Sequence, residues 1–302
     1  MHKTIKNTMI YWLVRAGMGF FHLVGFLGSL SVGRRLGKLT FRLLGRERRI
    51  TLDNLAKAFP EKTPSETYAL GRQIFEHFGM AVAECVNIDK LPAGYVNFEP
   101  ESRKVMEEAL ACGKGLVYIT CHSGNWELMA RSLTQMGFPM NAIGQKSYDP
   151  RFTRLIAGFR EAGRVRTVWR GESRILEKMM EVLQRGEVLG LLIDQDTRVP
   201  GVFVPFFGRP AHTPTAAALM ARISGAKVVC GFIYRWPDGG YRIRVEPFQP
   251  CALPQKEQAI EQDTRSMTAR IESHVRQYPA EWVWMHKRWK TTPKGSPEAS
   301  AP

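Results

Sequence analysis

Short apolar runs recur along this chain, and each stops at glycine, proline or a polar residue before an amphipathic stretch begins. "GLVYIT" (115–120), "EVLGLLID" (187–194) and the stretch Val228–Tyr234 are rich in aliphatic and β-branched residues. They are too short for buried helices and suit strands covered on both faces. "PMNAIG" (139–144) and Val165–Trp169 continue the series, and "YRIRVEPF" (241–248) alternates as a half-buried strand does. Between them lie helical patterns near Arg151–Glu161, Glu172–Arg185, from Pro214 toward Ser224, and Glu257–Tyr278. This alternation predicts an α/β fold, a central mixed sheet flanked by helices.

Upstream, residues 54–86 read as two helices separated at Pro60 to Pro64, with Ser65 as cap of the second. The most apolar segment is "MIYWLVRAGMGFFHLVGFLGSLSVG", Met9–Gly33, long enough as a helix to cross a bilayer. Arg15 near one end can snorkel, whereas His22 in mid-span needs to be neutral or face protein. The expectation is an N-terminal membrane-anchor helix, set against a soluble core helix or an interfacial one. Lys3 and Lys6 precede it, and Arg34, Arg35, Lys38, Arg42, Arg46, Arg48 and Arg49 follow, which places the body on the cytoplasmic side. The chain then divides into an anchor segment at 1–33, one large domain at 34–293 and a mobile tail at 294–302 rich in Pro, Ser and Ala.

Forty-three Lys and Arg against 28 Asp and Glu give a net charge of +15, which suits a polyanionic partner without choosing among them. Five cysteines without ligand spacing suggest neither a disulfide framework nor a zinc site. "DQD" (194–196) has no second acidic cluster to make it a cation site, so no metal and no cofactor is expected. "EWVWMHKRWK" (281–290) interleaves aromatic and basic residues, and beside an apolar N-terminal segment it reads as membrane-facing or core-anchoring rather than as a nucleic-acid surface.

The chemistry concentrates in "YITCHSGNWELMA" (118–130). If "GLVYIT" is a strand, His122 sits at its carboxyl end, where open α/β sheets hold their ligands. Gly124 permits a turn, Asn125 can cap the next helix, and Glu127 falls in that helix's first turn, where it complements the dipole whatever else it does. A carboxylate beside an imidazole fixes its tautomer and stabilises the imidazolium, so His122 and Glu127 read as base and orienter. No G-x-S-x-G elbow supplies a nucleophile, and a substrate hydroxyl can take that place. Cys121 is disfavoured, since neighbours on a strand point to opposite faces.

Six segments in order, one of them from this motif, carry a resemblance: "NLAKAFPE", "TCHSGNWE", "GRVR", "GEVLGLLIDQD", "FVPFFGRPAHTPTAAALMARISGAKVV" and "PAEWVWMHKRWK". Together they resemble the late (secondary) acyltransferases of bacterial lipid A biosynthesis, within the wider lysophospholipid acyltransferase-like group. The resemblance implies an inner-membrane enzyme, anchored once and facing the cytoplasm. It would move a fatty acyl chain from acyl carrier protein, or alternatively acyl-CoA, to a hydroxyl of an anionic glycolipid of Kdo-lipid IVA type. It implies no covalent acyl-enzyme and no nucleic-acid partner. His122 matches the family's catalytic histidine and Glu127 its paired acid. Arg164 and Asp194 match two further positions tied to activity, with Arg160 and Arg166 as alternatives to Arg164. Backbone N–H groups near Asn125 and the Arg164 cation are the candidates for the oxyanion or a phosphate, and Thr213 and Thr215 for phosphate or helix capping. The alternatives are a same-fold acyltransferase using a phospholipid or other lipid alcohol, and a nonenzymatic basic surface protein whose binding would survive loss of His122.

Overall fold

The computed structural model describes residues 2–237 and 239–293, with side chains from Ile5 onward. Four helices lead: α1 (His2–Leu23), α2 (Gly25–Leu43), α3 (Gly45–Ala58) and α4 (Pro64–Val86). The strand and helix alternation follows as β1 (Val96–Phe98), α5 (Ser102–Leu110), β2 (Leu116–Thr120), α6 (Trp126–Gln135), β3 (Met140–Gln145), α7 (Pro150–Ala162), β4 (Arg166–Arg170), α8 (Ile175–Gln184) and β5 (Val188–Leu192). A hairpin of β6 (Gly201–Phe206) and β7 (Arg209–Pro214) then precedes α9 (Ala216–Ser224), β8 (Lys227–Arg235), β9 (Tyr241–Phe248) and α10 (Lys256–Gln277). The main sheet runs β1-β9-β8-β2-β5-β3-β4. Only the β8–β9 pairing within it is antiparallel, so the sheet is mixed, as the sequence predicts.

Central strand β2 is buried along its whole length, and its side chains divide between two cores by the period of two. Val117 and Ile119 pack with Met179, Val182 and Leu183 of α8 and with Met220 of α9. Leu116 and Tyr118 face Met106 of α5 and Leu128, Met129 and Leu133 of α6. Each such side chain contributes about 1.5–3 kcal/mol of burial, which fixes the register of β2 and therefore the place where it ends.

The amino-terminal segment departs from expectation. Met9–Gly33 is divided between α1 and α2 at Gly25, whose φ of 70° lies in the left-handed region and breaks the helix. Among the described residues no helix is long and apolar enough to cross a membrane. The physical reason is visible in α2. Its glycines serve contact with α4, because a Cβ on Gly33 would collide with the Gly79 carbonyl and one on Gly37 with the Phe75 carbonyl. Ser29 and Asn87 bond across the same crossing, the Asn87 Nδ2 donating to Ser29 Oγ at 2.9 Å. Beyond this buried stripe α2 carries Arg34, Arg35, Lys38 and Arg42.

Smaller differences have local causes. Thr63, not Ser65, caps α4, in a capping box with Glu66 that satisfies donors in both directions. Helix α9 starts at Ala216 rather than at Pro214, which closes strand β7. The β6–β7 hairpin was not anticipated, although Phe207 and Gly208, both at positive φ, form the kind of two-residue turn that right-twisted hairpins favour. The tail expected at 294–302 lies outside the described residues.

Candidate active site

Strands β2 and β5 are parallel neighbours in register, Thr120 opposite Leu192. Continuing both chains by two residues sets His122 against Asp194. The His122 Nδ1 lies 2.8 Å from Asp194 Oδ1, and the His122 backbone N–H donates to Asp194 Oδ2 at 2.9 Å. The carboxylate that holds His122 is therefore Asp194 rather than Glu127. The Asp194 side chain is fully buried. Burial pushes its carboxyl up, and the charge and hydrogen bonds of His122, with the Trp282 indole, outweigh burial and hold it below its ordinary value. An ionised Asp194 can only accept, so Nδ1 carries a proton and Nε2 is the nitrogen left to face a substrate.

The turn after β2 depends on Gly124. Its φ is 60°, and a Cβ there would strike the Ile233 carbonyl. Asn125 caps α6 by accepting from the Leu128 N–H at 3.1 Å, while its Nδ2 donates to Ala81 O and Glu84 Oε2. Its side chain is thus committed to structure. Cys121 is buried in the core below β2, and burial holds its thiol well above the usual range. Ser123, the hydroxyl next to His122, is also buried, its Oγ 3.3 Å from His274 Nε2.

His122 and Glu127 line one cavity of about 520 Å³ at the carboxyl ends of β3, β4 and β5. Glu127 there pairs with Arg160 of α7, whose Nε and Nη2 donate at 2.9 and 2.5 Å. This fork geometry pairs the two charges and fixes the guanidinium in place inside a partly closed site. Ile143, Ile175, Leu176, Met179, Leu191 and Leu219 make the remaining wall largely apolar. Trp126 stands over His122, ring centroids 5.0 Å apart.

Asn125 and Asp194 lie behind the cavity wall, and Arg164 and Thr213 are also outside its lining. Arg164 is exposed beyond the end of α7, at φ 57°, and lines a separate surface hollow with Gly137 and Pro139. It precedes β4, so it lies toward the amino end of that strand and away from the site, and Arg160, a turn earlier, occupies the cavity wall instead. Thr213 is fully buried in the hairpin, accepting from the buried Arg288 Nη2 at 2.6 Å, while Thr215 reaches the cavity. Of "DQD", Asp196 accepts from the Thr291 N–H and hydroxyl.

The segment "EWVWMHKRWK" anchors in the core at three positions, while Lys287 and Lys290 stay exposed. Trp282, Trp284 and Arg288 are buried, and the Trp282 Nε1 donates to Asp194 Oδ2 at 2.7 Å. The Val283 N–H donates to the His122 carbonyl at 3.0 Å, and the Gly124 N–H to the Glu281 carbonyl at 3.1 Å. Residues 281–283 thereby strap the turn that carries His122, a contact invisible in the sequence because some 160 positions separate the partners.

The model of one family, described as bacterial lipid A biosynthesis acyltransferase, matches residues 2–291. The chain belongs to that family. It is an O-acyltransferase of α/β architecture, and its similarity to known members runs nearly end to end. It is 30% identical to the lipid A biosynthesis lauroyltransferase of Escherichia coli (strain K12), over 95% of this chain and 94% of that one. It is 27% identical to the lipid A biosynthesis palmitoleoyltransferase of the same organism, over 94% and 93%. A phosphatidylinositol mannoside acyltransferase of Mycobacterium tuberculosis (strain CDC 1551 / Oshkosh) is 26% identical over 61% of this acyltransferase and 57% of its own length.

Proposed function

We propose that the enzyme transfers a fatty acyl group from a thioester, carried by acyl carrier protein or coenzyme A, to a hydroxyl of a Kdo-lipid IVA-type lipid A precursor. The observation that carries this reading is His122 in the wall of an apolar cavity, held from behind by the buried Asp194. His122 Nε2 takes the proton of the acceptor hydroxyl, and the oxygen attacks the thioester carbonyl. The tetrahedral intermediate expels the thiolate, which regains the proton from the imidazolium. No acyl-enzyme is needed, and the buried Cys121 and Ser123 are poorly placed to form one.

Asp194 takes the orienting role, and Glu127 instead fixes Arg160, whose guanidinium offers positive charge to the oxyanion or a donor phosphate. The apolar wall accommodates acyl chain. Trp12, Leu13, Leu23 and Leu27, exposed on α1 and α2, with Arg15, Arg34, Arg35 and Lys38, form a surface suited to the anionic cytoplasmic face of the inner membrane.

The test is acyl transfer by purified enzyme to Kdo-lipid IVA from an acyl-carrier-protein thioester. His122→Ala and Asp194→Asn are expected to lower kcat by about 10²- to 10⁴-fold. Wild-type rates in both would sink the mechanism. The partial likeness to the mannoside acyltransferase favours a second reading, a different lipid alcohol as acceptor. Lipidomics of a deletion strain separates the two, because loss of one acyl chain from lipid A has a defined mass.

A further inference from the structure

The Asp194 carboxylate has three donors, and only two belong to His122. The third is the indole N–H of Trp282. Trp282 is 1% exposed, wedged beside Phe206 and Trp284 with ring centroids at 5.6 and 4.7 Å, and it does not line the cavity that holds His122. Its backbone is pinned as well. Trp282 forms an antiparallel bridge with Ser123, flanked by the Val283-to-His122 and Gly124-to-Glu281 bonds. One residue thus grips the catalytic turn by its main chain and the orienting acid by its side chain.

A carboxylate accepting from an imidazole can rotate about its terminal torsion, which is soft for aspartate. The His122 N–H already holds Oδ2, but it belongs to the turn that must itself be steadied; a second donor on Oδ2 from the immobilised Trp282 removes the remaining freedom and keeps Oδ1 aimed at Nδ1. In a fully buried site a hydrogen bond to charge is strong, and an unpaired oxygen is costly. We infer that Trp282 is a positioning residue for acyl transfer, its indole N–H locking the Asp194 carboxylate so that His122 presents Nε2 to the acceptor hydroxyl. This inference rests on the general-base reading above.

Trp282→Phe keeps most of the ring and deletes the N–H. Expected are a kcat about tenfold lower with KM for both substrates unchanged. The acid limb of kcat/KM should move to higher pH by about half a unit to one unit. An Asp194 relieved of its third donor holds more electron density for His122 and favours the imidazolium. In an Asp194→Asn background the same substitution should add little, as residues acting through one another do. A kcat and a pH profile equal to wild type in folded Trp282→Phe would overturn the inference. So would a full tenfold loss that persists on top of Asp194→Asn.

Should Trp282→Phe fail to fold, the indole proton of Trp282 in otherwise wild-type enzyme serves instead. Asp194→Asn should move that resonance upfield and speed its exchange with solvent, and an unmoved resonance would reject the contact. Full activity of His122→Ala would defeat the general-base reading itself, while the indole resonance still reports on the Trp282–Asp194 bond.

Discussion

At the scale of single residues, the site separates two carboxylates by what they hold. Asp194 meets His122 because parallel pairing of β2 and β5 carries the offset between Thr120 and Leu192 two positions further. That offset is a property of strand register, and the sequence shows both residues without showing that they touch. Glu127, five positions after His122, looks like the natural partner in one dimension, yet it starts a helix turned toward α7 and meets Arg160. The catalytic candidates were therefore legible as residue types at a strand end, and the pairing among them was not. Arg164 was misplaced for a related reason: which of several arginines around the end of α7 enters the cavity depends on helix phase. For Glu127→Gln we expect kcat/KM to fall about 10- to 100-fold with the fold intact, since a neutral amide leaves Arg160 half-buried and uncompensated. A double-mutant cycle with Arg160→Gln should show strongly non-additive losses, and additive losses would mean the pair does not act as a unit.

At the scale of elements, helix and strand identity followed from hydrophobic period, whereas long-range contacts did not. β2, β3, β5, β8 and β9 were readable because their runs are buried or alternate cleanly. The glycines of Met9–Gly33 carry two meanings in one dimension, since small residues suit a membrane helix and also let two backbones touch. In α2 Gly33 serves the crossing with α4, as Gly37 does just beyond the segment, and Gly25 ends the preceding helix. Gly37→Ala should destabilise the protein by about 1–3 kcal/mol through overpacking at that crossing, read by urea unfolding. Gly124→Ala should do more. It adds left-handed strain to a clash at the turn bearing His122, so activity should fall further than stability.

At the scale of the whole molecule, buried ionisable groups set how stability follows pH. Burial, with the nearby Arg235 and Arg34, pushes His77 down to about 4, and burial with Arg244 pushes His274 down to about 3. Both bind fewer protons folded than unfolded, so their contribution is present above the ordinary histidine value and is lost as pH falls through those lowered ones. Glu281 is opposite. Burial, with the charge of Glu84, raises it to about 7 despite two hydrogen bonds from the Arg235 N–H. Folded protein holds that proton longer than unfolded protein, so the contribution is present at acid pH and lost as pH rises from the ordinary carboxyl value through 7. The two trends cross, and thermal melting followed against pH should show maximal stability near pH 6 to 7. Glu281→Gln should flatten the decline on the alkaline side. The net charge of +15 gives a second molecule-wide expectation: sedimentation with anionic vesicles should weaken as salt rises, and fall further when Arg34, Arg35 and Lys38 are replaced by glutamine.

The strap at 281–283 also makes the active turn a test of completeness. His122 enters the polypeptide early, but the groups that bridge its turn and steady Asp194 arrive some 160 residues later. Contacts so distant in sequence close late in folding, after their loop entropy has been met. A chain cut before Glu281 would retain the base, the acid and the cavity walls, yet lack the segment that sets them against one another. Acyl transfer is expected to be lost in such a chain, and an assay of a form truncated before Glu281 checks it.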